Sequence, residues 1–201
     1  MISSMQNPLE KVKEIGAIRQ GHFQLASGKH SAHYVQVAQL TQYPYILDEL
    51  LQDKLPDLQA LDIDTVFSPA IGALPVGQQI GLALKARTLF AERNKDHIME
   101  LRRGFTLEQN EKLLLIEDVM TTGGTLKELK KIALDQGAEI RGVFTVVNRS
   151  GQNTWEGIPI HSLVDLVFPT YTLEECLLCK QNIPLDKPGT KASNANWGAQ
   201  N

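Results

Sequence analysis

Short apolar runs alternate with helix-like stretches between residues 64 and 167 of this 201-residue chain. The runs are nearly continuous in aliphatic and aromatic residues, which is typical of parallel strands whose two faces are both covered. The apolar runs are residues 64–70, 87–92, 112–118, 141–148 and 160–167, and the helix-like stretches are residues 74–86 and 124–137. Alternation of this kind predicts an α/β fold, in which a parallel sheet is flanked by helices.

The residues before this region do not follow the alternation. Asn7 followed by Pro8 is typical of a helix start, and apolar residues then recur at helical spacing as far as Ile18. Ser27 and Gly28 lie between two alternating segments, so they predict a hairpin turn. The expected division is an N-terminal helix and hood at 1–62, a phosphoribosyltransferase-sized core at 63–183 and a polar, loosely held tail at 184–201, within a single structural domain.

Composition and charge argue against several classes of protein. Hydrophobic residues make up 42% of the chain and charged residues 21%, which is enough for a globular core. The formal net charge of −3 argues against a general nucleic-acid-binding protein. No apolar run is long enough to span a bilayer, and the first residues lack the pattern of a secretory signal. We expect a cytoplasmic protein that binds neither nucleic acid nor membranes.

The two cysteines, Cys176 and Cys179, form a C-x-x-C motif. Zinc needs four ligands and the chain has no second cysteine pair, so we interpret these residues as reduced structural thiols. Trp155 carries no functional signal in the sequence. Four histidines are interpreted as surface or packing residues, namely His22, His30, His33 and His161.

Two adjacent acids, Glu117 and Asp118, end a strongly apolar predicted strand, and a turn rich in threonine and glycine precedes the next helix. Ligands of open parallel sheets bind beyond the carboxyl ends of the strands. The glycines of the turn would let a ligand approach the backbone, and free N–H groups at a helix start favour an anion such as phosphate. The turn consists of Thr121, Thr122, Gly123, Gly124 and Thr125.

The two acids would repel a phosphate group, so they must bind something else. Carboxylates suit the hydroxyl groups of a sugar, or a hard cation that bridges to the substrate. A ribose 5-phosphate satisfies both halves of the motif, with its diol at the acids and its phosphate at the turn. The alternative is a solvated strand end followed by an ordinary turn. The motifs of P-loop nucleotidases, dinucleotide-binding folds and nucleophile elbows do not occur in the sequence.

Residues 113–125, LLLIEDVMTTGGT, resemble the phosphoribosyl-pyrophosphate loop of the type I phosphoribosyltransferases. Residues 21–36 resemble the N-terminal hood of the orotate phosphoribosyltransferases, and residues 67–77 resemble their first sheet loop. Three further segments resemble the compact bacterial and archaeal branch of that family, namely residues 101–105, 146–151 and 169–189. The resemblance covers nearly the whole chain.

This resemblance implies the type I phosphoribosyltransferase fold and transfer of ribose 5-phosphate from phosphoribosyl pyrophosphate to orotate. The products would be orotidine 5′-phosphate and pyrophosphate, in the biosynthesis of the pyrimidine nucleotide UMP. The resemblance also implies a Mg²⁺ cofactor that is held mainly by the substrate, with no direct protein ligands. It further implies a homodimer in which the charged loop at residues 92–105 is shared across subunits.

The resemblance implies roles for individual residues. The expected catalytic residues are Glu117, Asp118, Lys95 and His97. The donor, phosphoribosyl pyrophosphate, is expected to contact Glu117, Asp118, Val119, Met120, Thr121, Thr122, Gly123, Gly124, Thr125, Arg93, Arg102 and Arg103. Orotate is expected to contact Thr121, Arg149, Ser27 and Tyr34. Arg149 would hold the orotate carboxylate by two hydrogen bonds, as a guanidinium can.

Three positions depart from the best-known branch of the family. Asn94, Ala26 and Gly72 replace lysines of that branch, so the sequence leaves open which cation of the loop is the catalyst, although Lys29 could partly substitute. Two other functions are alternatives. One is the same transfer to another base, uracil or a purine. The other is a regulator that binds phosphoribosyl pyrophosphate without catalysis, which usually needs an added DNA-binding module.

Overall fold

The computed structural model of the chain describes residues 7–25 and 27–188, so Ala26 lies outside the described residues. The helices are α1 (Pro8–Glu14), α2 (Ala38–Thr41), α3 (Pro44–Leu51), α4 (Leu55–Gln59), α5 (Leu74–Leu84), α6 (Gly124–Asp135) and α7 (Leu177–Lys180). The strands are β1 (Ile18–Gln24), β2 (His30–Val35), β3 (Thr65–Pro69), β4 (Arg87–Arg93), β5 (Met99–Leu101), β6 (Lys112–Met120), β7 (Glu139–Asn148), β8 (Thr154–Trp155) and β9 (Ile158–Asp165). Across the described ranges, no helix combines the length and apolarity needed to cross a bilayer.

A seven-stranded sheet in the order β5-β4-β3-β6-β7-β9-β8 forms the centre of the fold. The five inner strands run parallel, and the short edge strands β5 and β8 pair antiparallel to their neighbours. The predicted parallel sheet with flanking helices is therefore confirmed. The sequence did not predict the two edge strands, because two or three residues are too few to show a periodicity.

The apolar runs form the inner strands for a physical reason. In β6, which lies between β3 and β7, the four residues Leu113–Ile116 are fully buried. A strand covered on both faces needs an apolar side chain at every position, and each buried leucine stabilises the fold by about 1.5–3 kcal/mol. Helix α6 packs against the sheet through its predicted apolar face, of which Leu126, Leu129 and Ala133 are fully buried.

The chain divides into two compact units rather than at the predicted boundaries. The larger unit consists of the chain up to Ala17 together with Gln36–Val167, and the smaller unit consists of Ile18–Val35 together with the chain from Phe168 onward. Helix α3, which was predicted as part of the hood, contacts α5 and belongs to the larger unit. The hood is therefore smaller than predicted and includes a C-terminal segment.

The smaller unit contains the predicted hairpin, in which β1 pairs antiparallel with β2. Ile18, predicted as the last helical position, instead begins β1 and pairs with Val35. Helix α1 already ends at Glu14, and the following turn closes through the Ala17 N–H, which donates to the Val12 carbonyl at 3.0 Å. Strand pairing overrides the helical spacing at Ile18, because the extended partner offers backbone hydrogen bonds that the helix end cannot.

The C-terminal segment is paired with both strands of this hairpin. The Asp186 N–H donates to the His22 carbonyl at 2.8 Å, and the Gln24 N–H donates to the Asp186 carbonyl at 2.9 Å. His30 and Tyr171 exchange two backbone hydrogen bonds, of 2.8 and 2.9 Å. The prediction of a loose tail from residue 184 is wrong as far as residue 188, and its remainder lies outside the described residues.

Candidate functional site

The two acids lie at the carboxyl end of β6, in the middle of the sheet. Glu117 is opposite Thr145 of β7, and its side chain is buried. Asp118 is half-buried, and its Oδ1 accepts a hydrogen bond from the Val119 N–H at 2.8 Å. The Thr145 hydroxyl donates to the Asp118 carbonyl at 3.2 Å, which ties the end of β6 to its neighbour. The backbone therefore fixes where both carboxyl groups begin.

Burial strongly changes the protonation of Glu117. Loss of solvent, followed by the neighbouring Asp118, raises the pKa of Glu117 to about 8 from its ordinary value of 4.5. A hydrogen bond with Thr125 opposes this rise in pKa. Glu117 therefore keeps its proton at neutral pH, so its carboxyl group can donate one hydrogen bond and accept others. A sugar diol, which both donates and accepts, matches these groups.

The turn that follows β6 leads directly into α6. Thr121 and Thr122 are exposed, and Gly123 caps the helix in the left-handed conformation, with φ of 73°. No side chain caps the start of α6, so the first N–H groups of this helix are available to a ligand. The partial positive charge of a helix start adds to this preference for an anion.

Trp155, to which the sequence assigned no function, supports this turn. A Cβ atom at Gly123 would lie 2.3 Å from the Trp155 Nε1, so the indole packs directly against the glycine. Trp155 is on β8, it is 6% exposed, and the Lys130 ammonium lies 5.6 Å from its ring centre. No signal in the sequence could have identified this contact, because it depends on β8 pairing at the edge of the sheet.

The loop between β3 and α5 lies beside the acids. A Cβ atom at Gly72 would lie 2.6 Å from the Asp118 Oδ2, so any side chain at this position would displace the carboxylate. The same loop contains a cis peptide bond between Ala70 and Ile71. Gly72 is thus required for the observed position of Asp118, and a lysine in its place would need a different arrangement.

Arg149 comes to the same edge of the sheet. It follows directly after β7, and its backbone N–H donates to the Met120 carbonyl at 2.7 Å. Burial lowers the pKa of Arg149, but a guanidinium starts from so high a pKa that it stays charged. A half-buried cation that has lost part of its hydration favours an anionic ligand.

The charged stretch at residues 92–105 is a hairpin rather than the predicted mobile loop, because β5 lies inside it and pairs with β4. Arg93 makes two hydrogen bonds to Glu128 of α6, of 2.6 and 2.9 Å. Arg103 donates to Glu92 at 3.0 Å, and Arg102 lies 3.7 Å from the same carboxylate. The three arginines are therefore engaged with carboxylates of the chain.

Lys95 and His97 lie exposed in the turn of this hairpin. The Asn94 side-chain oxygen accepts hydrogen bonds from the N–H groups of Asp96 and Ile98, at 2.9 and 3.1 Å. A lysine cannot accept hydrogen bonds, so Asn94 shapes a turn that the lysine of the best-known branch could not form in this way.

The remaining predicted orotate contacts lie in the smaller unit. Ser27 is exposed in the turn between β1 and β2, where the Gly28 N–H donates to the Leu25 carbonyl at 2.8 Å. Tyr34 is half-buried on β2, and its ring lies 5.6 Å from that of Phe23. Their predicted role in orotate binding stays a prediction.

Comparisons with known proteins agree on one family. The chain is 42% identical to the orotate phosphoribosyltransferase of Thermotoga maritima over 182 residues, which cover 90% of this chain and 97% of the relative. It is 40% identical to the orotate phosphoribosyltransferase of Caldicellulosiruptor bescii over 183 residues, which cover 91% of this chain and 96% of the relative. No family model matches the chain.

Solved structures share the fold. The orotate phosphoribosyltransferase of Aeropyrum pernix matches with a TM-score of 0.65 at 21% identity, covering 78% of this chain and 92% of that protein. The adenine phosphoribosyltransferase of Thermoanaerobacter pseudethanolicus matches with the same TM-score of 0.65 at 12% identity, covering 79% of this chain and 99% of that protein. The fold is therefore that of the type I phosphoribosyltransferases, and by itself it does not distinguish between bases.

Replacing Gly123 tests the support that Trp155 gives to the turn. Gly123→Ala should lower the free energy of unfolding by at least about 1–2 kcal/mol, because alanine is strained at positive φ and its methyl group collides with the indole. Gly124→Ala is the matched control, since a Cβ atom there would meet nothing within 4 Å. Urea unfolding measures both variants, and equal losses would contradict the packing described for Trp155.

Replacing Glu117 with glutamine tests the buried proton. Folding raises the pKa of Glu117 from 4.5 to about 8, so the folded state binds more protons between these values and loses stability as the pH rises. Glutamine does not titrate, so the stability of Glu117→Gln relative to the wild-type chain should increase across this window, by at most about 1.4 kcal/mol per pH unit. Urea unfolding at a series of pH values measures the difference, and a difference that is constant with pH would refute the raised pKa.

Proposed function

This chain belongs to the orotate phosphoribosyltransferase family, and we propose on that basis that it transfers ribose 5-phosphate from phosphoribosyl pyrophosphate to orotate. The products are orotidine 5′-phosphate and pyrophosphate, and the step serves the synthesis of pyrimidine nucleotides. The observation that carries this proposal is the close likeness to named orotate phosphoribosyltransferases over nine-tenths of the chain, at 42% identity in the case of Thermotoga maritima.

The end of β6 and the start of α6 suit the donor substrate. We assign the 5′-phosphate to the turn at Thr121–Thr125, where threonine hydroxyls and the uncapped N–H groups of α6 can donate to it. We assign the two ribose hydroxyls to Glu117 and Asp118. A protonated Glu117 reduces the repulsion between this site and an anionic substrate, since the acid pair then carries less negative charge.

The reaction needs charge stabilisation more than proton transfer. Breaking the bond between C1 and pyrophosphate develops positive charge on the ribose ring and negative charge on the leaving group. Asp118 would stabilise the ring, and cations of the β4–β5 hairpin would stabilise the departing pyrophosphate. Arg93, Arg102 and Arg103 would have to exchange their present carboxylate partners for the leaving group, so binding would compete with ion pairs that are largely exposed and weak.

Orotate carries a carboxylate, and Arg149 is the cation placed to receive it. The residue lies beside Met120, one position before Thr121, so a base held there would be adjacent to the sugar. A charge-assisted, two-pronged hydrogen bond to a half-buried guanidinium would select orotate over uracil, which lacks the carboxylate.

Three further features belong to the same proposal. Mg²⁺ would be coordinated mainly by oxygen atoms of the donor, because a protonated Glu117 is a poor ligand for a hard cation. The active form would be a homodimer with the β4–β5 hairpin shared across subunits, as the family resemblance implies. The enzyme would act in the cytoplasm. Lys95 and His97, in the exposed turn of the hairpin, are proposed as the mobile catalytic cations.

An assay with several bases tests the reaction. The purified chain should consume orotate and form orotidine 5′-phosphate when it is given phosphoribosyl pyrophosphate and Mg²⁺, and it should lose this activity when the Mg²⁺ is chelated. Chromatography of the nucleotide products measures the turnover of orotate, uracil and adenine side by side. Product from adenine alone would overturn the choice of base, and tight binding of the donor without turnover of any base would favour the regulator.

Replacing Arg149 tests the orotate site. Arg149→Ala should raise the KM for orotate by about 10- to 150-fold, which corresponds to about 1.5–3 kcal/mol for a hydrogen bond to a charged group. The KM for phosphoribosyl pyrophosphate should change little. Arg141→Ala is the matched control, because Arg141 is on the same strand and pairs with Glu139 at 3.2 Å. Equal increases in the two KM values of Arg149→Ala would remove Arg149 from this role.

A further inference from the structure

Four side chains of the smaller unit converge on one point, namely His22, His30, Cys176 and Cys179. One nitrogen or sulfur atom from each lies within 4.8 Å of all the others. His22, His30 and Cys176 are at most 3% exposed. The sequence interpretation lacked a second pair of ligands beside the C-x-x-C motif, and the fold supplies that pair from the hairpin. His22 and His30 are thus buried members of a cluster rather than surface residues.

The distances within the cluster are close to those of a tetrahedral zinc site. The His22 Nε2 lies 2.9 Å from the His30 Nδ1, and 3.5 Å from the sulfur atoms of both Cys176 and Cys179. The Cys179 sulfur lies 3.2 Å from the His30 Nδ1. With Zn–N of about 2.0–2.1 Å and Zn–S of about 2.3 Å, a tetrahedron has N–N edges of about 3.3 Å and N–S edges of about 3.5 Å. Shifts of a few tenths of an ångström would complete the site.

The surroundings orient the ligand atoms. The His22 Nδ1 lies 2.8 Å from the Ile183 carbonyl, which can accept only a hydrogen bond from a protonated Nδ1. This contact leaves the lone pair of Nε2 directed at the cluster, which is the arrangement that metal-binding histidines adopt. A bulge between Gln20 and Phe23 lets the consecutive residues His22 and Phe23 both be buried, which a regular strand would not allow.

The two cysteines are held by a short helix. Cys176 precedes α7, Cys179 lies within it, and the Lys180 N–H donates to the Cys176 carbonyl at 3.3 Å. This turn brings two sulfur atoms to one side at the spacing that zinc sites use. Neither cysteine forms a disulfide. Two thiols and two imidazoles are soft and borderline ligands, which in a tetrahedral arrangement favour zinc over magnesium or calcium.

The smaller unit also has reason to need a metal. Its described apolar residues include only three that are buried, Phe23, Val35 and Cys176. So small a core contributes little to folding, and units of this kind are commonly stabilised by disulfides or metals. The cluster connects β1 and β2 to a segment about 150 positions later in the chain, so a metal would join the two parts of the unit at their buried centre.

We propose that His22, His30, Cys176 and Cys179 bind one structural Zn²⁺ ion per chain, which fastens the C-terminal segment to the β1–β2 hairpin. Binding releases the two thiol protons to solvent, so that two thiolates and two neutral imidazoles surround the ion. All four coordination positions are filled by the protein, which is the mark of a structural rather than a catalytic zinc site. The site uses none of the residues assigned to the transfer reaction, so its zinc content is measured independently of activity.

Elemental analysis of the full chain tests the site. Protein purified without chelators from a zinc-supplemented culture should contain one equivalent of zinc, and reduced apoprotein should bind Co²⁺ with the intense visible bands of tetrahedral thiolate coordination. Cys176→Ser and Cys179→Ser should each lose the Co²⁺ bands and most of the zinc. His33→Gln is the matched control, because His33 is on β2 but its ring stacks on Phe168 at 4.3 Å instead of joining the cluster.

Stability provides a second readout. Chelation of zinc should lower the melting temperature of the wild-type chain, and added Zn²⁺ should restore it, whereas the cysteine variants should respond to neither treatment. Wild-type protein that holds no zinc and binds no Co²⁺ after reduction would overturn the proposal. So would a Cys176–Cys179 disulfide found by thiol titration in protein purified under reducing conditions, or the same zinc content in the cysteine variants as in the wild-type chain.

Discussion

The fold depends on burying β6 between β3 and β7. Once Leu113–Ile116 are covered on both faces, the backbone of the strand is fixed, and the next two residues have no choice but to carry their carboxyl groups to the rim of the sheet. One of them, Glu117, is then so poorly solvated that its pKa rises to about 8. A hydrophobic interaction in the core thereby sets the chemistry of the site.

Contacts with two glycines translate this strand into a shaped site. Gly72 leaves room for the Asp118 carboxylate, and Gly123 leaves room for the Trp155 indole. In each case a methyl group would occupy space that a polar or aromatic side chain already fills. The neighbouring strands supply these contacts because parallel pairing gathers their carboxyl-terminal loops at one edge of the sheet. Arg149, which follows β7, reaches the same edge for the same reason.

The smaller unit follows a different principle. Backbone pairing of Asp186 with β1 and of Tyr171 with β2 brings the C-terminal segment against the hairpin, and these contacts assemble a cluster of two histidines and two cysteines. The larger unit has a wide apolar core, whereas the smaller unit buries mainly polar and metal-binding side chains. Hydrophobic burial can therefore account for the folding of the first, and metal coordination would complete the second.

The sequence by itself determined the parallel sheet, the strand that ends in Glu117 and Asp118, and the turn into α6, because apolar periodicity and glycine-rich turns are local signals. Its motifs also identified the family. Tertiary structure decided the raised pKa of Glu117, the role of Trp155, the extent of the smaller unit and the meeting of the four zinc ligands. These depend on residues far apart in the chain, and neither spacing nor composition encodes which distant side chains will share one buried point.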